Sequence, residues 1–220
     1  MSPSLFTSLP SPQAGLNLRL LDIRQEPQRF NSLLEHLSSD ERAQSLRYRQ
    51  SQDQLRFVYG RWALRFWLGQ ILGQAPGDVM LSLGPYGKPM LPDKGLPHFN
   101  LSHAGDYVLL GLHDTCTVGV DIEQTKMPAP LEVMRGIFSL EEQRYCQHGQ
   151  DGDKFYALWT AKEAILKAWG TGFTEQAPTI SVIDENLLWR QRITADTEVW
   201  PIAVPAGYAG AVALSSDGRK

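Results

Sequence analysis

The sequence predicts an α+β fold of two similar lobes, each a long helix packed on a small, mostly antiparallel sheet. Short β-patterned segments alternate with helical patterns along the 220 residues. Several of these elements recur in the second half of the chain at a constant offset of 101 residues. Such internal repetition indicates a duplicated unit, with the copies related by a pseudo-twofold axis. We place the N-terminal lobe at residues 1–115 and the C-terminal lobe at residues 116–220.

Composition limits the classes of protein to which the chain can belong. A hydrophobic content of 42% is enough for a sizeable core, and a net charge of -3 provides no general basic surface for nucleic acid. No apolar run approaches the roughly 18 residues of a membrane span, and residues 1–12 lack the pattern of a signal peptide. We expect a cytoplasmic protein with a frayed N-terminus. Cys116 and Cys146 lack metal-ligand spacing and are interpreted as reduced bystanders.

The N-terminal lobe is predicted from local patterns. Weak alternation predicts a strand over residues 16–22. Ser38 and Glu41 form the Ser-x-x-Glu pattern of a capping box, which begins a short helix. Residues 53–72 are apolar almost all round, as is typical of a buried helix. The other predicted elements of this lobe are a strand, a turn-rich loop and a β-hairpin, at residues 79–83, 84–92 and 99–112.

The C-terminal lobe repeats this order. The matched features are the strand at 117–123, the capping box of Ser139 and Glu142, the long helix at 155–169, the strand at 180–182, and the pairs Arg61 with Lys162 and Tyr107 with Tyr208. Chance agreement of ordinary elements is the alternative explanation. Asp121 and Glu123 align with Leu20 and Asp22, so the paired acids belong to one copy only. This difference predicts a site where the lobes meet.

The strand at residues 118–123 carries two acids on one face. Alternation places Val118, Val120 and Ile122 on one face, and Gly119, Asp121 and Glu123 on the other. Like charges about 7 Å apart repel each other unless a cation lies between them. The alternative is an edge strand with a solvated acidic face.

The second long helix presents three charged residues of interest. Glu163 and Lys167 lie one turn apart on the stripe opposite the apolar face, where an ordinary surface ion pair is the alternative interpretation. Lys162 lies at the centre of the apolar face. Because a buried ammonium is costly unless paired, Lys162 must either reach solvent or meet a carboxylate or phosphate.

Asp121, Glu123 and Glu163 offer only oxygen ligands, which suit a hard cation such as Mg²⁺. Mg²⁺ often bridges substrate phosphates, so a phosphate-bearing ligand is expected as well. Lys88, held between a glycine and a proline, and His103 are candidate phosphate ligands. A structural histidine is the alternative for His103.

Four segments together resemble the successive motifs of the Sfp-type 4′-phosphopantetheinyl transferases. They are YGKP at 86–89, FNLSH at 99–103, VGVDIE at 118–123 and WTAKEAILK at 159–167. The resemblance implies the two-lobed fold of that family. It also implies transfer of phosphopantetheine from coenzyme A to a serine of an apo acyl or peptidyl carrier protein, with release of adenosine 3′,5′-bisphosphate.

The resemblance also implies residue roles. The acids Asp121, Glu123 and Glu163 would hold Mg²⁺ on the pyrophosphate, and Glu163 would deprotonate the incoming serine. The side chains that would bind coenzyme A are Lys88, Ser102, His103 and Lys167, with Lys162 in a supporting role. Of all these residues, Glu163, Lys167 and His103 would form the catalytic group.

One departure from the family pattern concerns the short helix after the first strand. Glu41 and Gln44 stand where basic residues would contact the coenzyme A 3′-phosphate, and Arg42 and Arg47 are the candidates to replace them.

We expect a monomer with pseudo-dimeric lobes. The segment 127–131 and the helix that follows Ser139 are candidate docking surfaces for the carrier protein, with ordinary packing as the alternative. Two other functions share these features, namely a non-catalytic protein that binds coenzyme A or a carrier, and a Mg²⁺-dependent phosphodiesterase.

Overall fold

The computed structural model describes residues 5–25, 29–84, 87–92, 97–125, 134, 136–147, 152–172, 177–186 and 188–216. Within these ranges the strands are β1 (Phe6–Leu9), β2 (Leu16–Asp22), β3 (Ser82–Leu83), β4 (Pro89–Met90), β5 (His98–Ala104), β6 (Tyr107–His113), β7 (Thr117–Gln124), β8 (Thr197–Pro201) and β9 (Tyr208–Ser215). The helices are α1 (Phe30–Leu34), α2 (Ser39–Ser45), α3 (Ser51–Leu72), α4 (Leu140–Gln147) and α5 (Asp153–Trp169). Short 3₁₀ helices at Pro76–Asp78 and Ala177–Thr179 follow the two long helices.

The strands form two antiparallel sheets and one short ribbon. The first sheet has the order β1-β2-β6-β5, the second has the order β7-β9-β8, and β3 pairs with β4 in the ribbon. The long helix α3 packs on the first sheet, and α5 packs on the second. The predicted α+β architecture of two lobes, each with a long helix on a small antiparallel sheet, is therefore confirmed.

The two sheets pack face to face, and a third apolar cluster lies between them. Leu18 and Leu109 of the first sheet meet Val120, Ile122 and Val212 of the second in this cluster. The layers thus follow the order α3, first sheet, second sheet, α5. Because burial of the valine face of β7 between the sheets is favourable, the opposite face of β7, which carries the acids, turns towards α5.

The predicted repeat is confirmed at the level of hydrogen bonds. Both capping boxes form: the amide of Ser38 donates to Glu41 Oε2 at 3.0 Å, and the amide of Ser139 donates to Glu142 Oε2 at 2.8 Å. The two 3₁₀ helices also begin 101 residues apart. Tyr107 and Tyr208 begin the matched strands β6 and β9, and their rings meet edge to face with centroids 5.0 Å apart.

Three local predictions were wrong. Of the strand predicted at 79–83 only Ser82–Leu83 forms, since Val79 is buried and its carbonyl accepts a hydrogen bond from Arg65 at 2.8 Å. The strand predicted at 180–182 is replaced by a single β-bridge nearby. The N-terminus was expected to be frayed, but Phe6–Leu9 form β1, because the ring of Phe6 stacks on aromatic residues of α3. Residues 1–4 lie outside the described residues. Across the described ranges, none of the helices is both long and apolar enough to cross a membrane.

Candidate active site

A cavity of about 400 Å³ opens between the lobes. The N-terminal lobe contributes Lys88 and His103 to its wall, and α5 contributes Glu163 and Lys167. Four of the residues singled out from the sequence therefore face the same space. A neighbouring depression of about 420 Å³ lies against α2 and shares Tyr48 with the cavity.

Gly119 sets the distance between the acidic strand β7 and helix α5. A Cβ atom at this position would lie 2.0 Å from the carbonyl oxygen of Ala164 and 2.4 Å from the amide nitrogen of Ala168. These backbone atoms leave no room for a side chain. Because Gly119 has no side chain, β7 approaches α5 closely enough for Asp121 to reach Lys167.

Asp121 is buried at the centre of the site, with only 2% of its surface exposed. Its Oδ1 atom accepts hydrogen bonds from Lys167 Nζ at 2.6 Å and from Ser102 Oγ at 2.8 Å. Its Oδ2 atom is buried and has no hydrogen-bond partner among the residues that the structure describes. This burial rules out a solvated acidic face at Asp121. A buried carboxylate oxygen without a partner is costly, so it marks a position where a cation would bind favourably.

Lys167 joins the strands of both lobes to the helix. Its Nζ atom lies 3.2 Å from Ser102 Oγ and 3.3 Å from the carbonyl oxygen of Val120, in addition to its ion pair with Asp121. Burial lowers the pKa of Lys167, but the neighbouring carboxylates, Asp121 first and Glu163 next, outweigh burial and raise this pKa overall. Lys167 is therefore a permanent positive charge beside the acids.

The pKa values of the two other acids are raised to about 7. Burial is the main cause for Glu123, and the charge of Asp121 adds to it. Burial is also the main cause for Glu163, where Lys167 opposes the rise and the two acids of β7 increase it. The acids are thus close enough for their charges to repel one another.

The ligand set fits a metal ion that is shared with a phosphate group. Within the ranges that the structure describes, no three Asp, Glu, His or Cys side chains are arranged to enclose an ion by themselves. Mg²⁺ is commonly bound by one or two carboxylates, with water and substrate phosphates completing its shell. The unpartnered Oδ2 of Asp121 and the raised pKa values of Glu123 and Glu163 fit this open arrangement.

Lys88 and His103 line the cavity from the N-terminal lobe. The ammonium of Lys88 donates to the carbonyl oxygens of Lys167 at 2.6 Å and Val118 at 3.2 Å, which leaves one N–H for a ligand. Burial, helped by Lys167, lowers the pKa of Lys88 to about 8. Burial also lowers the pKa of His103, so its imidazole is neutral at pH 7. Tyr86, the first residue of the same motif, lies outside the described residues.

Ser102 and Lys162 do not lie on the cavity wall. Ser102 is buried, and its hydroxyl is used by Asp121 and Lys167. Lys162 is fully buried, and its ammonium binds Glu142 Oε2 at 2.6 Å and the carbonyl oxygens of Ile137 at 2.7 Å and Ala177 at 2.9 Å. All three N–H groups of Lys162 are therefore occupied. Its expected part in coenzyme A binding is corrected to a structural one.

The sequence analysis missed Arg61, which lies on the cavity wall. Of the two arginines considered as replacements for the missing basic residues, Arg47 lines the neighbouring depression and Arg42 is exposed on α2, off both walls. The signal that could have revealed Arg61 was its charge in a helix that is otherwise apolar almost all round.

Two family models match the chain. Residues 117–208 match the model of the 4′-phosphopantetheinyl transferase superfamily, and residues 24–114 match the model of a 4′-phosphopantetheinyl transferase N-terminal domain. The chain belongs to the 4′-phosphopantetheinyl transferases, and it is therefore an enzyme of the transferase class.

Individual relatives are about one third identical to the chain over the aligned segments. It is 38% identical over 177 residues to slr0495 of Synechocystis sp., named as a candidate 4′-phosphopantetheinyl transferase, covering 76% of this chain and 71% of the relative. It is 32% identical to the 4′-phosphopantetheinyl transferase Sfp of Bacillus subtilis, covering 72% of this chain and 70% of the relative. It is 34% identical to the 4′-phosphopantetheinyl transferase HetI of Nostoc sp., covering 73% and 70%.

Proposed function

We propose that this enzyme transfers 4′-phosphopantetheine from coenzyme A to a serine of an apo acyl or peptidyl carrier protein, with Mg²⁺, and releases adenosine 3′,5′-bisphosphate. The observation that carries the proposal is the buried Oδ2 of Asp121, which has no partner among the described residues and lies beside Lys167. Lys167 and Glu163 line the cavity between the lobes. Membership of the transferase family supports the same chemistry.

Asp121, Glu123 and Glu163 would hold Mg²⁺ together with the pyrophosphate of coenzyme A. The donor set supports this assignment, since hard oxygen ligands and an open arrangement suit a cation that is shared with phosphate. When bound, Mg²⁺ neutralises charge on the pyrophosphate during phosphoryl transfer. The carboxylates must be ionised to bind the metal, so metal binding competes with protons near pH 7.

Glu163 is the proposed general base. The serine oxygen of the carrier attacks the phosphorus nearest the pantetheine. The bond from this phosphorus to the bridging oxygen breaks, and the serine proton passes to Glu163. Glu163 lines the cavity, so an incoming serine hydroxyl can reach its carboxylate, and a carboxylate within hydrogen-bond reach can accept the hydroxyl proton.

The cationic residues would position the ligand. Lys167 provides a permanent positive charge next to the acids, and the free N–H of Lys88 can reach a phosphate oxygen in the cavity. His103, neutral at pH 7, would donate one hydrogen bond to a phosphate. Ser102 would act indirectly, since its hydroxyl holds Oδ1 of Asp121 and so helps to direct Oδ2.

The carrier protein would approach the open side of the cavity. Helix α4 remains a candidate docking surface, and its Leu140 side chain is 67% exposed. The other candidate, segment 127–131, lies outside the described residues. We further propose that the enzyme acts as a monomer, because its two lobes already form a pseudo-dimer. Light scattering at assay concentration would test this proposal, and a dimer mass would contradict it.

The decisive experiment combines the enzyme, coenzyme A, Mg²⁺ and an apo carrier protein, and follows the carrier by mass spectrometry. A carrier that gains the mass of phosphopantetheine, with equimolar adenosine 3′,5′-bisphosphate, would support the proposal. Breakdown of coenzyme A without gain by the carrier would indicate the phosphodiesterase instead. Binding of coenzyme A without any reaction would indicate the non-catalytic relative. Omission of Mg²⁺ with added EDTA is the matched control.

A further inference from the structure

The hydroxyl of Tyr208 joins the two lobes at one end of a seam, along which β5 (His98–Ala104) meets β7 (Thr117–Gln124). Its oxygen accepts a hydrogen bond from Gln124 Nε2 at 2.7 Å, within the C-terminal lobe. It accepts a second from the amide nitrogen of Asp106 at 3.2 Å, in the N-terminal lobe. Both hydrogen bonds end on one atom, so the positions of Gln124 and Asp106 are linked. These three groups form a tyrosine clamp between the lobes.

The turn between β5 and β6 is shaped to receive the hydroxyl. A Cβ atom at Gly105 would overlap both the Tyr208 hydroxyl and Gln124 Nε2. Gly105 also has a φ of +51°, a conformation that glycine adopts most readily. Its carbonyl oxygen accepts a hydrogen bond from Arg56 Nη1 of α3 at 3.0 Å. The turn is therefore anchored to the helix of its own lobe and open to the tyrosine of the other.

The tyrosine clamp lies beyond Glu123 along the seam, whereas two other contacts lie before it. The amide nitrogen of Val120 donates to Asn100 Oδ1 at 2.9 Å. The hydroxyl of Ser102 donates to Asp121 Oδ1 at 2.8 Å. Strand β7 is therefore tied to the N-terminal lobe on both sides of Glu123. Removal of the clamp would leave the ties on one side only.

The clamp also acts on the N-terminal side of the site. His103, which lines the cavity, lies two residues before Gly105. On β7, side-chain alternation turns Glu123 towards α5 and its neighbour Gln124 towards the first sheet. The side chain of Gln124 can therefore hold the strand without occupying the face that carries the acids. The distance between the ends of β5 and β7, and hence between His103 and Glu123, depends on the clamp.

We infer that Tyr208 is a positioning residue of the transfer reaction, an inference that rests on the proposed function. Tyr208 is not among the described residues that line the cavity, so it acts through Gln124 and the turn at residues 105–106. Reactive groups must be held to within about 0.5 Å by the residues behind them. A misplacement of about 1 Å can lower a rate by roughly a hundredfold. The hydroxyl therefore keeps Glu123 in place to bind the metal.

The repeat provides a matched control for Tyr208. Tyr107 stands 101 residues earlier and begins the matched strand β6. Its hydroxyl accepts a hydrogen bond from Arg24 Nη2 at 3.0 Å, and both partners belong to the N-terminal lobe. The rings of Tyr107 and Tyr208 contact each other, and phenylalanine at either position keeps the ring and removes one oxygen atom. The two substitutions are chemically identical, but only one of them opens the tyrosine clamp.

The test measures metal binding and the rate separately. Mn²⁺, which accepts the same oxygen ligands as Mg²⁺, is titrated in the presence of coenzyme A without carrier and followed by electron paramagnetic resonance. Tyr208→Phe should weaken Mn²⁺ binding by about threefold to tenfold and lower kcat for carrier loading by roughly tenfold. Tyr107→Phe should leave both values near those of the wild type. Circular dichroism checks that each variant is folded.

A second variant tests the same hydrogen bond from its other side. Gln124→Met should weaken Mn²⁺ binding to a similar extent, and the double variant with Tyr208→Phe should lose no more than either single variant, because both remove one shared contact. If Tyr208→Phe does not fold, Gln124→Met alone decides the question, with Mn²⁺ binding as the readout.

Three results would overturn the inference while the proposed function stands. They are wild-type Mn²⁺ binding and kcat in Tyr208→Phe, equal losses in Tyr208→Phe and Tyr107→Phe, and additive losses in the double variant. Equal losses would mean that the hydroxyls only stabilise the fold. Failure of the wild type to load a carrier with Mg²⁺ and coenzyme A would instead overturn the proposed function.

Discussion

The substitution Lys162→Met tests the structural role of the buried ion pair between Lys162 and Glu142. It removes three contacts of the ammonium and leaves the Glu142 carboxylate fully buried. Among the described residues, the amide groups of Ser139 and Val182 remain as partners of this carboxylate. Breaking a buried pair on one side costs about 3–5 kcal/mol. For a chain of this size, that cost corresponds to a melting temperature lower by roughly 6–20 °C.

The assay is urea unfolding followed by tryptophan fluorescence, together with thermal unfolding by circular dichroism. Lys154→Met, on the same helix, is the matched control. The side chain of Lys154 is partly exposed, and its ammonium lies 4.7 Å from the centroid of the Tyr145 ring. Loss of this cation–π contact should cost about 1 kcal/mol or less. Equal unfolding midpoints for Lys162→Met and the wild type would refute the reasoning. If the KM for coenzyme A rose in that same variant, Lys162 would return to the ligand set.

Three further predictions concern the active site. Asp121→Asn should lower the rate of carrier loading by roughly a hundredfold or more, because the variant loses the charge that pairs with the proposed metal. Its circular dichroism spectrum should stay unchanged. An unaltered rate would remove Asp121 from the metal site. In the metal-free protein, the pKa values of Glu123 and Glu163 are raised from 4.5 to about 7, so the folded state holds protons that the unfolded chain has released. Their contribution to stability is complete below about pH 4.5 and is lost as the pH rises through about 7. Urea unfolding in EDTA at pH 5 and pH 8 should show this loss, Mg²⁺ should reverse it at pH 8, and equal stability at both pH values would contradict it. Gly119→Ala should destabilise the protein by about 1–3 kcal/mol or more and slow transfer, since the new Cβ would meet backbone atoms of α5. Gly77→Ala is the control, because a Cβ there meets nothing within 4 Å. Equal urea midpoints for these two variants would refute the close approach of β7 to α5.

Local patterns predicted most of the elements correctly. The capping boxes at Ser38 and Ser139 were visible because a cap depends on residues only three positions apart. The alternation in β7 predicted which side chains share the face of Asp121. The prediction of a strand at 79–83 was wrong because Val79 is buried and accepts a hydrogen bond from Arg65. Both features depend on how α3 packs, which the pattern within residues 79–83 does not show.

The sequence alone determined the duplicated architecture, the set of acids and the family resemblance. Repetition, alternation and motif spacing are properties of the order of residues along the chain, so they can be read before folding is known. The sequence also indicated that Lys162, on an apolar helix face, must either reach solvent or meet a carboxylate or phosphate.

Only the tertiary structure decided which anion each cation meets. Lys162 and Lys167 lie on the same helix, yet the first closes a structural pair with Glu142 while the second joins Asp121 at the cavity. Arg61 and Arg65 also lie on one helix, yet Arg61 faces the cavity and Arg65 binds Glu41. The partner of a charged side chain depends on which distant elements pack beside it, and charge interactions act through space with no regard to separation along the chain.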